Sequence, residues 1–272
     1  CYNFTREAFE LSERFQTPVL LRLVTRLAHS RSQVALAEPR AQNPASYVED
    51  PARFTLIPVN ARRAYAKLVA KQPALQAASE ESALNPLTLR DDRPGSRPGL
   101  LVSGLAWNYL TEAMSEEQLA GFHLLRIGQY PLPMGKIRRL LDASSEVFVI
   151  EEGYPCIERL IGGNGLLNGL LGEKRIRGKL NGDLPRVGEL GPDDIRRCFG
   201  LPVPASLQIP GLAEVLSGRP PSLCDKCPHT DAYAAIKEVL AGLTTADGEP
   251  VRVMGDIGCY SLGYLPPHQA IH

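Results

Sequence analysis

The sequence is poor in the features that would place it in several common classes. It has no apolar run near the about 18 residues that a membrane span needs. It has no excess of one charge, since 30 basic residues balance 30 acidic ones. That balance removes the electrostatic case for nucleic acid or a membrane surface as partner. No basic-then-apolar leader opens the chain, and no internal repeat is found. Gly162-Gly163-Asn164-Gly165 lacks the Lys-Ser that completes a phosphate-binding loop, so it reads as a plain loop. Cysteine is too sparse, at six in 272 residues, for a disulfide scaffold. A reducing compartment, the cytoplasm, is therefore expected, with metal binding favoured over cross-linking. His29, His123, His268 and His272 are isolated and imply no chemistry by themselves.

What remains is a globular composition, 44% hydrophobic, long enough for two compact domains and punctuated by 23 prolines. Thr5 to Phe15 reads as a helix capped by Thr5, and Val19 to Thr25 as a strand after Pro18. A helix spans Ala61 to Ala78 with a break at Pro73. Asn85 to Arg97, rich in Pro, Gly and Asp, reads as a linker. Strands at 99–104, 122–128 and 146–152 alternate with helices at 107–114, 134–141 and 155–161. Such alternation predicts a mostly parallel sheet with Val102, Leu124, Ile127, Val147 and Val149 buried. The Gly- and Pro-rich 162–222 stretch holds one short helix near 192–199. Thr230 to Leu243 reads as a helix and Val251 to Met254 as a strand. The chain opens on Cys1 rather than Met and closes on Pro266-Pro267-His268-Gln269-Ala270-Ile271-His272, and is expected to be a piece of a larger protein.

The chemistry concentrates near the end. Cys224-Asp225-Lys226-Cys227-Pro228-His229 presents two soft sulfurs from one turn, just before a helix whose N-terminus favours thiolate. Cys259 follows in Gly255-Asp256-Ile257-Gly258-Cys259-Tyr260, after the expected strand. Three thiolates facing one centre suit zinc, an iron–sulfur cluster or a redox pair, and spacing alone leaves all three open. His229 suits a fourth ligand, a cofactor contact or a cap. Asp256 alone is a weak magnesium ligand. Glu151 and Glu152 are adjacent on a strand, point opposite ways, and so are not expected to share a proton.

With those residues in view, the chain resembles the alpha subunit of indolepyruvate ferredoxin oxidoreductases, within the 2-oxoacid:ferredoxin oxidoreductases. The likeness lies in Ala8 to Phe15 with Thr17 to Arg22 and Thr25-Arg26, in Ile127 to Pro133, and in Val149 to Glu152. It continues through Gly178 to Pro185 with Gly188-Glu189-Leu190, and through both cysteine motifs. The resemblance implies an α/β fold: a transketolase C-terminal-type parallel-sheet domain flanked by partial thiamine-diphosphate-binding domains. Residues 1–35 would end the pyrimidine-binding domain, 36–98 form a linker with a helix, and 99–165 form the α/β domain. Residues 166–219 would be an interdomain arm, and 220–272 the start of the diphosphate-binding domain. It further implies oxidative decarboxylation of an aryl pyruvate with thiamine diphosphate, magnesium and [4Fe–4S] clusters. The partners implied are a beta subunit, ferredoxin and coenzyme A. Cys224, Cys227 and Cys259 would hold the cluster, while His229, Ile257, Gly258, Cys259 and Tyr260 would contact thiamine diphosphate. The chain departs from the family pattern where Asp225-Lys226 stands for Pro-Gly and Thr230 for Arg. A non-catalytic zinc-binding α/β module is the alternative.

Overall fold

The computed structural model describes residues 1–42, 49–90, 94–162, 175–205, 210–211 and 221–271. The chain divides into two compact units, Cys1–Ala205 and Ser206–His272. In the first, α1 (Tyr2–Phe15), α2 (Thr25–Ala28), α3 (Pro51–Phe54) and α4 (Pro58–Glu81) precede β1 (Leu87–Thr88), β2 (Arg97–Ser103), α5 (Ala106–Ala113) and α6 (Glu116–Leu119). Then follow β3 (His123–Ile127), α7 (Met134–Ala143), β4 (Ser144–Ile150), α8 (Cys156–Gly162), β5 (Arg175–Arg177) and α9 (Pro192–Cys198).

The sheet order is β1-β3-β2-β4-β5. β2 pairs in parallel with both β3 and β4, and β4 pairs in parallel with β5. Only the two-residue β1 runs antiparallel, against β3. Alternation of side chains across the pleat explains the double core. Leu100 and Val102 of β2, with Phe148 and Ile150 of β4, face a cluster that includes Leu110 of α5 and Ile195 of α9. Leu101, Val147 and Val149 face the opposite cluster, with Ile137 of α7 and Ile157 of α8. All five residues expected to be buried here are buried.

Several expectations away from these central strands are corrected. Thr5 does not cap α1. The helix begins at Tyr2, and the Thr5 hydroxyl donates to the Cys1 carbonyl at 3.1 Å. Residues 19–24 form no strand, because no described strand pairs with them. α4 does not break at Pro73, because Pro73 is exposed and the carbonyl it leaves unbonded can take water.

The expected linker at Asn85 to Arg97 is partly built into the fold. Asn85 is fully buried, and its carboxamide oxygen accepts from the Gly128 and Gln129 amides at 2.9 and 3.0 Å. Its amide group donates to the Ser79 carbonyl at 3.1 Å, tying the end of α4 to the end of β3. Likewise, residues 175–201, expected within an arm, pack on the sheet through β5, Leu184, Leu190 and Ile195. The remainder of that arm falls mostly outside the described residues.

A buried acid organises the turn after β5. Glu158 of α8 accepts from the Lys179 amide at 2.8 Å and the Leu180 amide at 3.1 Å. Gly178 is required there, since a Cβ would fall 2.7 Å from the Glu158 carboxylate. Arg177 and Asp183 close the turn with paired hydrogen bonds of 2.7 and 2.8 Å.

Two measurements test this account. Leu101→Ala should cost about 2–5 kcal/mol in urea unfolding, because Leu101 is 1% exposed. Leu20→Ala, at a site 91% exposed, should change stability by less than about 0.5 kcal/mol. Hydrogen bonding from Arg177 holds the Asp183 carboxyl below its usual value of 3.8. The stability it contributes is therefore present above pH 3.8 and lost as pH falls through the lower folded value. Asp183→Asn should flatten that acid limb, and an unchanged slope would reject the pairing.

Candidate functional site

The cysteine segment lies in the second unit. The Cys227 amide donates to the Cys224 carbonyl at 3.2 Å, closing a turn in which Lys226 takes a left-handed φ of 56°. Cys227 is the N-cap residue of α10 (Pro228–Leu240), with Pro228 in the first turn, where its missing N–H costs nothing. The Cys227 sulfur lies 3.2 Å from His229 Nδ1. His229 is therefore a partner of the second thiol, and its ring also meets Tyr260 edge-on at 5.0 Å.

Cys259 opens a short 3-10 helix, Cys259–Tyr264, rather than following a strand. Residues 251–254 are not a ladder strand. The described antiparallel contact here is the isolated bridge between Thr244 and Pro250, and Pro250 has no amide to donate. What holds Cys259 is Tyr233. Its ring is 3% exposed on α10, and its hydroxyl donates to the Tyr260 carbonyl at 2.9 Å and approaches the Cys259 carbonyl at 3.5 Å. Gly263 lies against that ring so closely that a Cβ would fall 2.7 Å from Tyr233 Cζ.

All six cysteines are free thiols; Cys224 and Cys259 are exposed and Cys227 half-buried. The donor chemistry thus suits a soft metal or cluster, but the placement does not assemble one. Among the described residues, no group of three or more His, Cys, Asp or Glu side chains is close enough to hold a metal ion. Asp256 accepts from its neighbour's amide, Ile257 N at 2.7 Å, and stands without a second acid. Ile257 is 93% exposed, and nothing lies within 4 Å of where a Cβ on Gly258 would stand.

In the first unit, polar side chains gather at the edge where the parallel strands end. Glu151 is buried, and its carboxylate accepts the Ile157 and Glu158 amides at the start of α8, both at 2.9 Å. Burial raises its pKa, and those backbone donors oppose the rise. Glu152 points elsewhere and accepts the Leu190 amide at 3.2 Å. The two acids share no proton, as alternation predicts. Arg26 donates to the Tyr109 hydroxyl at 3.0 Å, to the Leu190 carbonyl at 3.4 Å, and to Glu189. Burial raises the Tyr109 pKa, against the pull of Arg26.

Sequence reasoning did not single out Tyr233 or this edge network. Tyr233 had a local signal, since it follows His229 by four residues on the same helix face. Glu189 and Arg26 stand in quoted motifs, but no spacing rule joins residues so far apart.

No established family profile matches the chain. Curated relatives do. It is 35% identical over 279 residues to indolepyruvate oxidoreductase subunit IorA of Methanothermobacter thermautotrophicus, covering 98% of this chain and 43% of that one. The same subunit of Methanothermobacter marburgensis is 34% identical over 271 residues, with the same coverage. That of Thermococcus kodakarensis is 30% identical over 286 residues, covering 99% and 42%. A solved 2-oxoglutarate:ferredoxin oxidoreductase from Magnetococcus marinus aligns with 12% identity, TM-score 0.32, 46% of this chain and 21% of that one, too distant to carry an argument. These curated relatives are all named as oxidoreductase subunits. The chain is similar to these IorA subunits along nearly all of its own length and spans 42–43% of theirs. Among the described residues, no helix is long and apolar enough to cross a membrane.

Tyr233→Phe removes the tether to Tyr260 while keeping the ring. It should lower stability of the second unit by about 0.5–1.5 kcal/mol and speed amide exchange across Cys259–Tyr264. Unchanged exchange there, measured by mass spectrometry, would show that the hydroxyl holds nothing.

Proposed function

We propose that this chain is part of a thiamine-diphosphate-dependent 2-oxoacid:ferredoxin oxidoreductase acting on indolepyruvate or another aryl pyruvate. The overall reaction converts the 2-oxoacid and coenzyme A to an acyl-coenzyme A and carbon dioxide. It releases one proton and two electrons, which two ferredoxins accept singly. The observation that carries this reading is the match to IorA subunits along 98% of the chain.

In this proposal Cys224, Cys227 and Cys259 supply three thiolates to one [4Fe–4S] cluster. His229, Ile257, Gly258 and Tyr260 face thiamine diphosphate. Bringing the thiols together is part of the proposal, as is a fourth ligand from outside this set. When bound, thiamine diphosphate supplies the electron sink for decarboxylation and the cluster a one-electron relay. The chain's own contribution is to present free thiols from a turn and a tethered 3-10 helix. A beta subunit completes the assembly.

The test uses a protein of the relatives' full length that carries this stretch, purified with its partner subunit without oxygen. It should be brown and reduce ferredoxin when given indolepyruvate and coenzyme A. Cys259→Ser should lower its iron content and slow electron transfer. The 272-residue chain alone should show no turnover with added thiamine diphosphate and magnesium. A colourless, zinc-containing protein without aryl pyruvate activity would overturn the reading.

A further inference from the structure

Cys224 and Cys227 carry a chemistry besides metal ligation, and the turn that joins them sets it. The Cys227 amide donates to the Cys224 carbonyl at 3.2 Å, with Lys226 at a left-handed φ of 56°. A turn closed in this way keeps its first and fourth Cα atoms within about 7 Å. A disulfide bridges Cα atoms about 4.4–6.8 Å apart, so the backbone already stands near the span that one needs. Both residues are free thiols. Asp225 and Lys226 are the whole of the loop between them, so closing it orders little further chain.

The two thiols are not equivalent. Cys224 is exposed, whereas Cys227 is half-buried at the N-cap of α10. A small disulfide in solution therefore meets Cys224 first, because access governs thiol–disulfide exchange. Cys227 has a base beside it instead. Its sulfur lies 3.2 Å from His229 Nδ1, and the edge-on contact with Tyr260 at 5.0 Å helps hold that ring in place. A sulfur beside an imidazole can pass its proton on as it attacks. Cys227 needs no access to solvent for this, since its target would be the Cys224 sulfur on its own turn.

We propose that Cys224 and Cys227 are a reversible redox pair, oxidised by low-molecular-weight disulfides. Cys224 attacks the disulfide RSSR, forming a Cys224–SR mixed disulfide and expelling RS⁻, which takes up the proton that Cys224 gives to solvent. Cys227 then attacks the Cys224 sulfur. Its proton passes to His229 Nδ1, the bond from Cys224 to SR breaks, and the second RS⁻ leaves and is protonated. The protein loses two electrons and two protons, and RSSR becomes two RSH. Excess thiol reverses both steps. The bond takes both sulfurs out of the ligand set, so a disulfide and a metal on these residues exclude each other. Oxidation would thus close the site to a metal and reduction would open it. That control of loading rests on the cluster reading; the exchange itself needs no cluster, no thiamine diphosphate and no second subunit.

The test incubates the 272-residue chain, with a chelator and without oxygen, in graded ratios of reduced to oxidised glutathione. Alkylation and peptide mass spectrometry then read each cysteine. A Cys224–Cys227 disulfide should form as the oxidised share rises and vanish again in excess reduced glutathione. Cys1 and Cys156 are also exposed but have no cysteine near them in sequence, so they should stop at the mixed disulfide. Cys227→Ser should hold glutathione on Cys224. Cys224→Ser, at an exposed site, should abolish the bond even if the Cys227 variant does not fold. His229→Gln should slow the second step at least about tenfold, so that the mixed disulfide on Cys224 accumulates, while the final ratio of bonded to free pair stays the same. Three results would overturn the assignment: both thiols alkylated at every ratio, glutathione kept on Cys224 without release, or Cys259 taking the place of either partner. A protein of the relatives' full length that lacks iron but forms the bond would sink the cluster reading and leave the redox pair standing. One that holds iron, yet whose pair never closes once the metal is removed, would do the reverse.

Discussion

The first unit depends on one strand having parallel neighbours on both sides. β2 lies between β3 and β4, so its backbone is fully paired and both of its faces must be covered. Parallel neighbours require crossovers, and right-handed crossovers to opposite sides put helices on opposite faces. The apolar faces made by Leu100, Val102 and Leu101 follow, as do α5 and α9 on one side and α7 and α8 on the other. Close pairing also dictates Gly99 in β2, where a Cβ would fall on the Ser144 hydroxyl of β4. The same constraint gathers the strands' carboxyl ends at one edge. Glu151, Glu152 and Tyr109 are functional candidates because of where the strands end, not because of their local sequence.

Strands 2 to 4 and the helices between them were legible because local pattern and tertiary environment agree there. A short apolar run such as Gly99-Leu100-Leu101-Val102, bounded by Pro98 and Gly104, fits a doubly buried strand. The failures share a cause. Val19 to Thr25 and Val251 to Met254 have strand-like composition, but a strand is a relation between two segments and neither has a partner that pairs along it. Asn85 to Arg97 failed the other way. Its polar, proline-rich composition suggested a free linker, whereas Asn85 takes five hydrogen bonds from or to Ser79, Gly128 and Gln129. A buried carboxamide that satisfies several backbone groups looks, in sequence, like any loop asparagine.

The cysteine region shows the same division between pattern and placement. The turn from Cys224 to Cys227 and the helix after it are local, and both were readable. That Tyr233 holds the third cysteine's segment is a contact across 26 residues, and no spacing rule encodes it. Motif reasoning correctly found which residues carry soft-donor chemistry. Among the described residues, the chain by itself does not gather three such side chains within reach of one metal ion.

That gap has a physical source in the size of the second unit's core. Tyr233 and Ala270 are the buried apolar side chains the structure describes there, while Met254, Ile257 and Tyr264 are largely exposed. So small a core can fix a backbone through one hydroxyl and one glycine contact, but it cannot fix every side chain the backbone carries. Any group that binds the thiols would stabilise the ordered state by mass action, and order and occupancy would rise together. The tether from Tyr233 to Tyr260 is then the piece of order present beforehand. It limits how far Cys259 can stray from the helix that begins at Cys227, and so would lower the entropy lost if a bound group drew the two together.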